Sequence, residues 1–424
     1  MLIALTTRGS GMALQFLINL ILVRVLGAEG IGVYSVYLAW VMVLSGVIGL
    51  GTPTLAMRRV SELTVTAAAP ITPFVGRLLG LSCLAGLALL IIILGPGGSL
   101  FSPLLDSPES MNIMKLAALG AILFTFMKIG SESLKGLGKV NQSIGFENIL
   151  MPLLIILLAG FALLTEWSLS SEQFIAAHLV IMAAISIAIL LFLIRHTGWQ
   201  RPSLFPGLRR DLEELAPLWG NLLIAMLFIN LPIIMAPLFA PYDEVGVFSI
   251  AYKLIMITVN ILMVLSGFFG PRFAKAYAAG DTADLKRALQ QSRIGSLLLF
   301  LPVFALFIAV PDQVMGIFGE EYRSGSDLLI VMITGQLIYA STGLVGLFLA
   351  MTYRARLELK ISFSILVIMA ALIAGLGSLY GITGVAWGFA LGLALKNLVS
   401  LYFTQRELAG LQAASQTTPA EGTT

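Results

Sequence analysis

The chain has 424 residues, 58% of them hydrophobic and 11% charged, with a formal net charge of +3. A soluble globular domain carries about 25% charge, and a mean hydropathy of +0.98 excludes a water-facing fold; the solvent of this chain is lipid. The small positive balance gives no case for a nucleic-acid partner and is read as membrane topology and contact with anionic lipid.

A membrane helix needs roughly 20 apolar residues, and twelve such stretches are centred near residues 17, 43, 84, 121, 154, 184, 227, 257, 301, 338, 369 and 392. The runs are continuous, not alternating, which favours helices over a barrel. The expected fold class is an all-α polytopic membrane protein. Its about 12 transmembrane helices would form two six-helix parallel repeats around a central cavity.

In chain order, the first span follows Arg8 and has the look of a signal peptide. No small-residue cleavage site precedes the second span, so the first is expected to be retained. Cys83, the single cysteine, falls in the third span and reads as a small buried apolar side chain. Basic residues cluster after every second span: Arg58 and Arg59, then Lys128, Lys135 and Lys139, then Arg195, Arg201, Arg209 and Arg210. Arg272, Lys275, Lys286, Arg287 and Arg293 follow span eight, Arg354, Arg356 and Lys360 follow span ten, and Arg406 follows span twelve. Only Arg323 breaks the alternation. Both termini are therefore assigned to the cytoplasm. The chain divides into a bundle at 1–195, a cytoplasmic link at 196–214, a second bundle at 215–408 and a disordered tail at 409–424.

The two halves repeat one phrase. Residues 32–40 read GVYSVYLAW and residues 246–254 read GVFSIAYKL. Gly32 maps to Gly246, Tyr34 to Phe248, Ser35 to Ser249 and Arg58 to Arg272, all 214 positions apart. LINL at 17–20 resembles FINL at 228–231, and Lys139 corresponds to Arg354. Six spans per half make parallel repeats, an arrangement typical of transporters. Span seven holds Pro217, Pro232, Pro237 and Pro241, while its partner, span one, holds Gly9 and Gly11. Pro232 and Pro237 are either a hinge or a static kink.

Charges inside spans are costly, roughly 2.5–3.5 kcal/mol each at the centre. Arg24, Lys115, Lys253 and Lys396 are not easily placed in cytoplasmic loops. Arg24 and Lys253 fall in the outer half, one per repeat, and would form a cationic site if they face the central cavity; the alternative for Arg24 is snorkelling to the interface. Lys115 snorkels at the outer end of span four and Lys396 is structural. Every Asp and Glu is assigned to a loop or a span end, with Glu132 and Glu147 the nearest exceptions. The cavity thus favours an anion. Gln15, Asn19, Asn230 and Asn260 either line it or join helices. Arg58 and Arg272 mark its cytoplasmic mouth. No GxxxxGK[ST] is present, and His178 and His196 have no ligand-spaced partners, so no nucleotide site, metal or cofactor is expected; the coupling ion is open. The acids of PDQVMGIFGEEYRSGSDLL at 311–329 look more like an interfacial turn than a catalytic loop.

The stretch LVRVLGAEGIGVYSVYLAWVMVLSGVIGLGTPTLAMRRVSE resembles the bacterial polysaccharide-repeat-unit flippases (Wzx-type). These belong to the superfamily that also holds lipid II flippases and multidrug and toxin exporters. The resemblance rests on R-x-L-G at Arg24–Gly27, E-G-x-G-x-Y at Glu29–Tyr34, G-x-G-x-P at Gly49–Pro53, the pair Arg58 and Arg59, and IFGEEYRSGSDLL at 317–329. It implies that Arg24 and Lys253 meet a lipid pyrophosphate. Two departures stand out: twelve spans instead of the fourteen common in lipid II flippases, and Lys253 in place of Arg, a point charge instead of a fork. The resemblance implies a flippase for an undecaprenyl-pyrophosphate-linked oligosaccharide, working by alternating access. Its partners would be that lipid, the bilayer and glycan-assembly proteins. The alternatives are an ion-coupled multidrug or metabolite exporter and a membrane glycan polymerase or ligase.

Overall fold

The structure, a computed structural model, describes residues 2–66, 70–95, 108–165, 169–198, 200 and 208–417. Side chains within these ranges are described except at 2–13, 15, 66, 108, 109, 208–210, 212, 216–218, 221, 260, 261 and 414–417. Among the described residues the chain is helical, with no strand. Lipid supplies no hydrogen bonds, so an apolar backbone satisfies its own N–H and C=O groups as helix. By contact the chain divides into two compact units, Met1–Gly246 and Val247–Thr424. Compactness is a different criterion from sequence repeat, and the helix after the link groups with the first unit.

In the first unit, α1 (Leu2–Gly49) runs for 48 residues. At about 1.5 Å per residue that is far longer than one crossing of a ~30 Å hydrocarbon core. It is broken at Gly27, whose φ of 65° and ψ of −177° suit glycine alone. Leu50 and Gly51, both at positive φ, turn the chain into α2 (Thr52–Thr66), which carries Arg58, Arg59 and Glu62 and is too short and polar to span. There follow α3 (Ile71–Leu94), α4 (Pro108–Gly136), α5 (Val140–Ile144), a π-helical turn (Gly145–Leu150), α6 (Met151–Leu164), α7 (Ser171–Thr197) and α8 (Leu208–Met235). Ser170 starts α7 through a capping box with Gln173. The packing centre is α4, which touches α1, α2, α3 and α7. Small residues permit this: a side chain at Gly120 would press on the Tyr37 hydroxyl and Val41. His178 Nδ1 lies 3.3 Å from that same hydroxyl, so this histidine is a satisfied core residue.

The repeated phrase lies beside the break in α1. Gly32 touches the opening turn of α9 (Tyr242–Ala278), where the Gly246 nitrogen would stand 3.0 Å from a Cβ on Gly32. The converse distance, from a Cβ on Gly246 to the Gly32 nitrogen, is 3.1 Å. The two glycines that the sequence pairs by repetition therefore meet in space.

The second unit continues α9 and adds α10 (Thr282–Ala309), α11 (Pro311–Gly316), a 3-10 turn (Glu320–Gly325), α12 (Ser326–Thr342), α13 (Val345–Met351) and α14 (Ala355–Thr417). The α14 helix breaks at Gly381, with φ 58° and ψ −138°. Its two segments pack antiparallel: Gly388 abuts Ile373, Gly392 abuts Met369, and Arg354 just before the helix pairs with Glu407 near its end. These pairs step symmetrically away from Gly381, the pattern of a hairpin. The helix continues to Thr417, beyond residue 408 where the sequence ends the bundle. Ala, Leu and Gln dominate that extension and are good helix formers.

Eight helices among the described residues are long and apolar enough to cross a membrane; the bent pair Glu320–Thr342 and Val345–Met351 would make a ninth, and Leu222–Leu238 is a shorter apolar helix. With α1 and α14 each holding two of the predicted stretches, every one of the twelve falls in a helix. The chain is a multi-pass α-helical membrane protein. Local geometry repeats too. Lys139 N donates to Leu134 O at 2.8 Å, and Arg354 N donates to Leu349 O at 2.8 Å. Each follows a residue at positive φ, Gly138 in one unit and Tyr353 in the other. Phe174 and Phe389, 215 positions apart, each make an aromatic edge contact at 5.1 Å to the repeated phrase, with Tyr34 and Tyr252 respectively.

Candidate functional site

A cavity of about 270 Å³ opens in the first unit among α1, α2, α4 and α8. Phe124, Lys128 and Glu132, spaced by four on α4, share one helical face and form one wall. Ser45, Gly46, Pro53, Thr54, Met57, Leu222 and Met226 complete it with Thr125. Trp219 Nε1 donates to the Gly46 carbonyl at 3.0 Å, which fastens α8 to α1 beside the opening.

Lys128 is held from two sides. Its Nζ donates to Glu147 Oε2 at 3.0 Å and stands 5.6 Å from the centroid of the Phe124 ring. Glu147 lies in the π-helical turn Gly145–Leu150, a wide turn of a kind frequent at functional sites. Its side chain is 9% exposed, and Oε1 has no hydrogen-bond partner among the described residues. The Ser45 and Thr125 hydroxyls donate to Met42 O and Ala121 O, each at 2.7 Å. Their protons are committed to their own helices, so lone pairs are what remain for a guest. The wall thus offers a cation and hydroxyl lone pairs.

The residues singled out in the sequence are dispersed. Arg24 is exposed, three residues before the break at Gly27. Lys253 is half-buried on α9 between the buried Tyr252 and Leu254. Asn19 is buried. Asn230 Nδ2 donates to Met226 O at 2.8 Å, so it is bound to its own helix one turn from the cavity wall. The side chains of Gln15 and Asn260 lie outside the described residues. Arg58 is exposed and 3.3 Å from Glu62, whereas Arg272 donates to Asp284 Oδ1 and Gln291 Oε1, each at 2.6 Å. Pro232 is buried within α8, and Pro237 sits in the 3-10 turn Ala236–Leu238 where α8 ends.

Lys128 flanks the link after α4 from inside the helix, which continues to Gly136. Glu147, one of the two nearest exceptions among the acids, packs against Lys128, and Glu358, in the first turn of α14, accepts from Ser400 through Oε2 at 2.9 Å while Lys396 Nζ stands 3.5 Å from Oε1. Each acid has a lysine partner from another part of its own unit. The signal that could have exposed the first pair was the four-residue spacing of Phe124, Lys128 and Glu132; no local pattern announces Glu358 and Lys396.

Comparison with known proteins now supplies the family. The sequence profile of polysaccharide biosynthesis proteins matches residues 1–277, more than half of the chain, and the match takes in Arg24, Lys128, Glu147 and Lys253. The chain belongs to the polysaccharide biosynthesis protein family. The MatE profile also matches this family member, over residues 218–375. A probable low-salt glycan biosynthesis flippase of Haloferax volcanii, Agl15, is 22% identical over 167 residues, 39% of this chain and 35% of that protein. The match therefore spans about a third of the relative's length. Among solved structures, an inward-facing multidrug resistance MATE family transporter of the MOP superfamily superimposes with a TM-score of 0.74, at 17% identity, over 95% of this chain and 96% of that one. A MOP superfamily transporter from Pyrococcus furiosus, described as having a binding pocket of reverse polarity, gives 0.60 at 19% identity, over 95% and 94%. At such identities the likeness establishes the fold of this polysaccharide biosynthesis protein.

Proposed function

We propose that the protein is a flippase that moves a lipid-linked oligosaccharide, with an undecaprenyl-pyrophosphate carrier, from the inner to the outer leaflet of a bacterial cytoplasmic membrane. It is a transporter in this reading and makes no bond. Two six-helix repeats, 1–195 and 215–408, would rock about the link at 196–214, with Pro232 and Pro237 flexing. Arg58 and Arg272 would flank the entrance, and both termini would face the cytoplasm. Arg24 and Lys253 would neutralise the diphosphate, with Lys128 and the hydroxyl acceptors of the first unit meeting phosphate and sugar.

The observation that carries this reading is the family: the polysaccharide biosynthesis profile matches residues 1–277, Arg24 and Lys253 included. Ionisable groups within spans are functional by default, and the complement of a cation is an anion. The test is reconstitution of the full chain with a labelled undecaprenyl-diphosphate sugar, scored for headgroup access across the bilayer. Lys253→Ala at normal protein level is expected to slow transfer by about tenfold or more, the loss of a charge-assisted contact of about 1.5–3 kcal/mol. Wild-type transfer in that variant would remove Lys253 from the mechanism.

A second reading, an ion-coupled exporter of a soluble compound, draws on one feature: the Oε1 of Glu147, buried without a hydrogen-bond partner among the described residues. It requires that Glu147→Gln abolish efflux of a cationic dye from loaded vesicles.

A further inference from the structure

The open end of the α14 hairpin carries a groove of about 560 Å³. Arg354, Arg406 and Glu407 line it together with Leu357, Phe403 and Leu411. Arg354 Nε donates to Glu407 Oε2 at 2.9 Å. That uses one edge of the guanidinium, and the Arg354 side chain is still 54% exposed. Arg406 is exposed as well, as are Arg356 and Lys360 on the neighbouring turns. Tyr353 and Tyr402 flank the groove at 87% and 61% exposure.

We propose that this groove binds the headgroup of an anionic phospholipid from the cytoplasmic leaflet. The position follows from the hairpin itself. Its segments run out from Gly381 and return together, so the groove forms where two apolar spans end, next to basic residues that mark the cytoplasmic side. Exposed tyrosines are the usual company of a membrane–water interface. The chemistry is divided as a phospholipid is divided: guanidinium N–H donors for the phosphate and an aliphatic and aromatic wall for the glycerol and upper acyl chains. A free phosphate ion would have no use for the wall formed by Leu357, Phe403 and Leu411.

The other repeat shows that the charges are more than a topology signal. A basic residue closes the equivalent turn in both units, Lys139 in one and Arg354 in the other. At the positions matching Arg406 and Glu407, however, the first unit has Leu191 and Phe192, and Leu191 is 61% exposed. At these two positions the first unit carries apolar residues, with Arg195 and His196 one turn further on, and the second an arginine and a carboxylate. The pair at 406 and 407 therefore belongs to a ligand that the second unit holds.

The full chain, purified in detergent, tests this by native mass spectrometry with phosphatidylglycerol or phosphatidylcholine added as probe. Phosphatidylglycerol is expected to be retained preferentially. Arg406→Gln should weaken its retention about fivefold, the effect of one basic residue at a lipid surface. Glu407→Gln, which removes the competing carboxylate, should strengthen it. Adjacent single substitutions acting in opposite directions are not the signature of misfolding. Millimolar inorganic phosphate should leave the bound lipid in place. Equal retention of the two lipids, displacement by phosphate, or changes in the same direction for Arg406→Gln and Glu407→Gln would each overturn the assignment.

Discussion

The contact between Gly32 and Gly246 makes a prediction that can be worked from the coordinates. A Cβ on Gly32 would overlap the Tyr242 carbonyl oxygen, lie 2.9 Å from its carbon and 3.0 Å from the Gly246 nitrogen. All three obstacles are backbone atoms of a helix, so none can rotate aside. Comfortable separation of non-bonded carbons is about 3.5–4.0 Å, so Gly32→Ala must drive the two helices apart by more than half an ångström. Overpacking of this kind costs about 1–3 kcal/mol. Gly246→Ala meets the mirror-image obstacle, the Ala28 carbonyl, and should cost as much. Once either alanine has separated the helices the second finds room, so the double variant should cost less than the sum of the singles by about 0.5 kcal/mol or more. The control is Gly160→Ala on α6, where nothing lies within 4 Å of the added Cβ. There alanine should be neutral or stabilising by up to about 1 kcal/mol, from helix propensity alone. Thermal unfolding of the purified chain in one detergent compares the four variants with wild type. If Gly32→Ala melts with Gly160→Ala instead of several degrees below it, the helices do not cross at these glycines.

Glu147→Ala should destabilise the first unit by about 1–2 kcal/mol, because it leaves Lys128 half-buried without its carboxylate. The pair replacement Lys128→Met with Glu147→Leu should recover most of that loss in the same unfolding assay. Asp211, in the first turn of α8 and outside the membrane-spanning segments, is held above its ordinary pKa by burial, opposed by Arg77 at 2.8 Å and by Arg59. Glu214 adds to the upward push. The folded chain therefore binds this proton more tightly than the unfolded one. The resulting contribution to stability is complete below the unfolded carboxylate value of about 3.9 and is lost as pH rises through the raised folded value. Asp211→Asn should remove that segment of the pH–melting curve, and a curve that keeps its shape would show that another group titrates there.

Long-range organisation was legible because membrane physics writes it in bulk composition. Continuous apolar runs located all twelve stretches. The repeated phrase located a true contact, because glycine spacing records where backbones approach. The breaks in α1 and α14 were partly legible: Gly27 and Gly381 are ordinary glycines by sequence, and only the excess length of the helices shows that the chain must stop there. The pairing of in-span charges was not legible. Lys128 meets Glu147 through a π-helical turn that shifts the register of α5 and α6, and Glu358 meets Lys396 through the return of a hairpin. Both depend on which helix faces lie together, and aliphatic sequences of nearly uniform hydropathy do not encode facing strongly.

Comparison of the units then separates scaffold from chemistry. What repeats is framework: Gly32 with Gly246, the aromatic contacts of Phe174 and Phe389, and the capped turns before Lys139 and Arg354. The in-span charges do not repeat. At the 214-residue offset of the repeated phrase Lys253 matches Ala39, and at the 215-residue offset of Lys139 and Arg354 Lys128 matches Gly343, Glu147 matches Ser362, Glu358 matches Ser143 and Lys396 matches Ile181. At Gly343 the second unit even breaks the helix that is continuous in the first, and Arg293 Nε donates to Ser341 O at 3.1 Å beside the gap. A structure that needed charge only for symmetric helix packing would keep it at matched positions. Under the proposed flippase reading, charge at unmatched positions of a duplicated frame would serve a guest with unlike ends, a phosphorylated lipid at one and a sugar at the other. If Lys128 and Lys253 served packing alone, methionine at both positions would leave transport of that lipid intact while holding or raising the melting temperature.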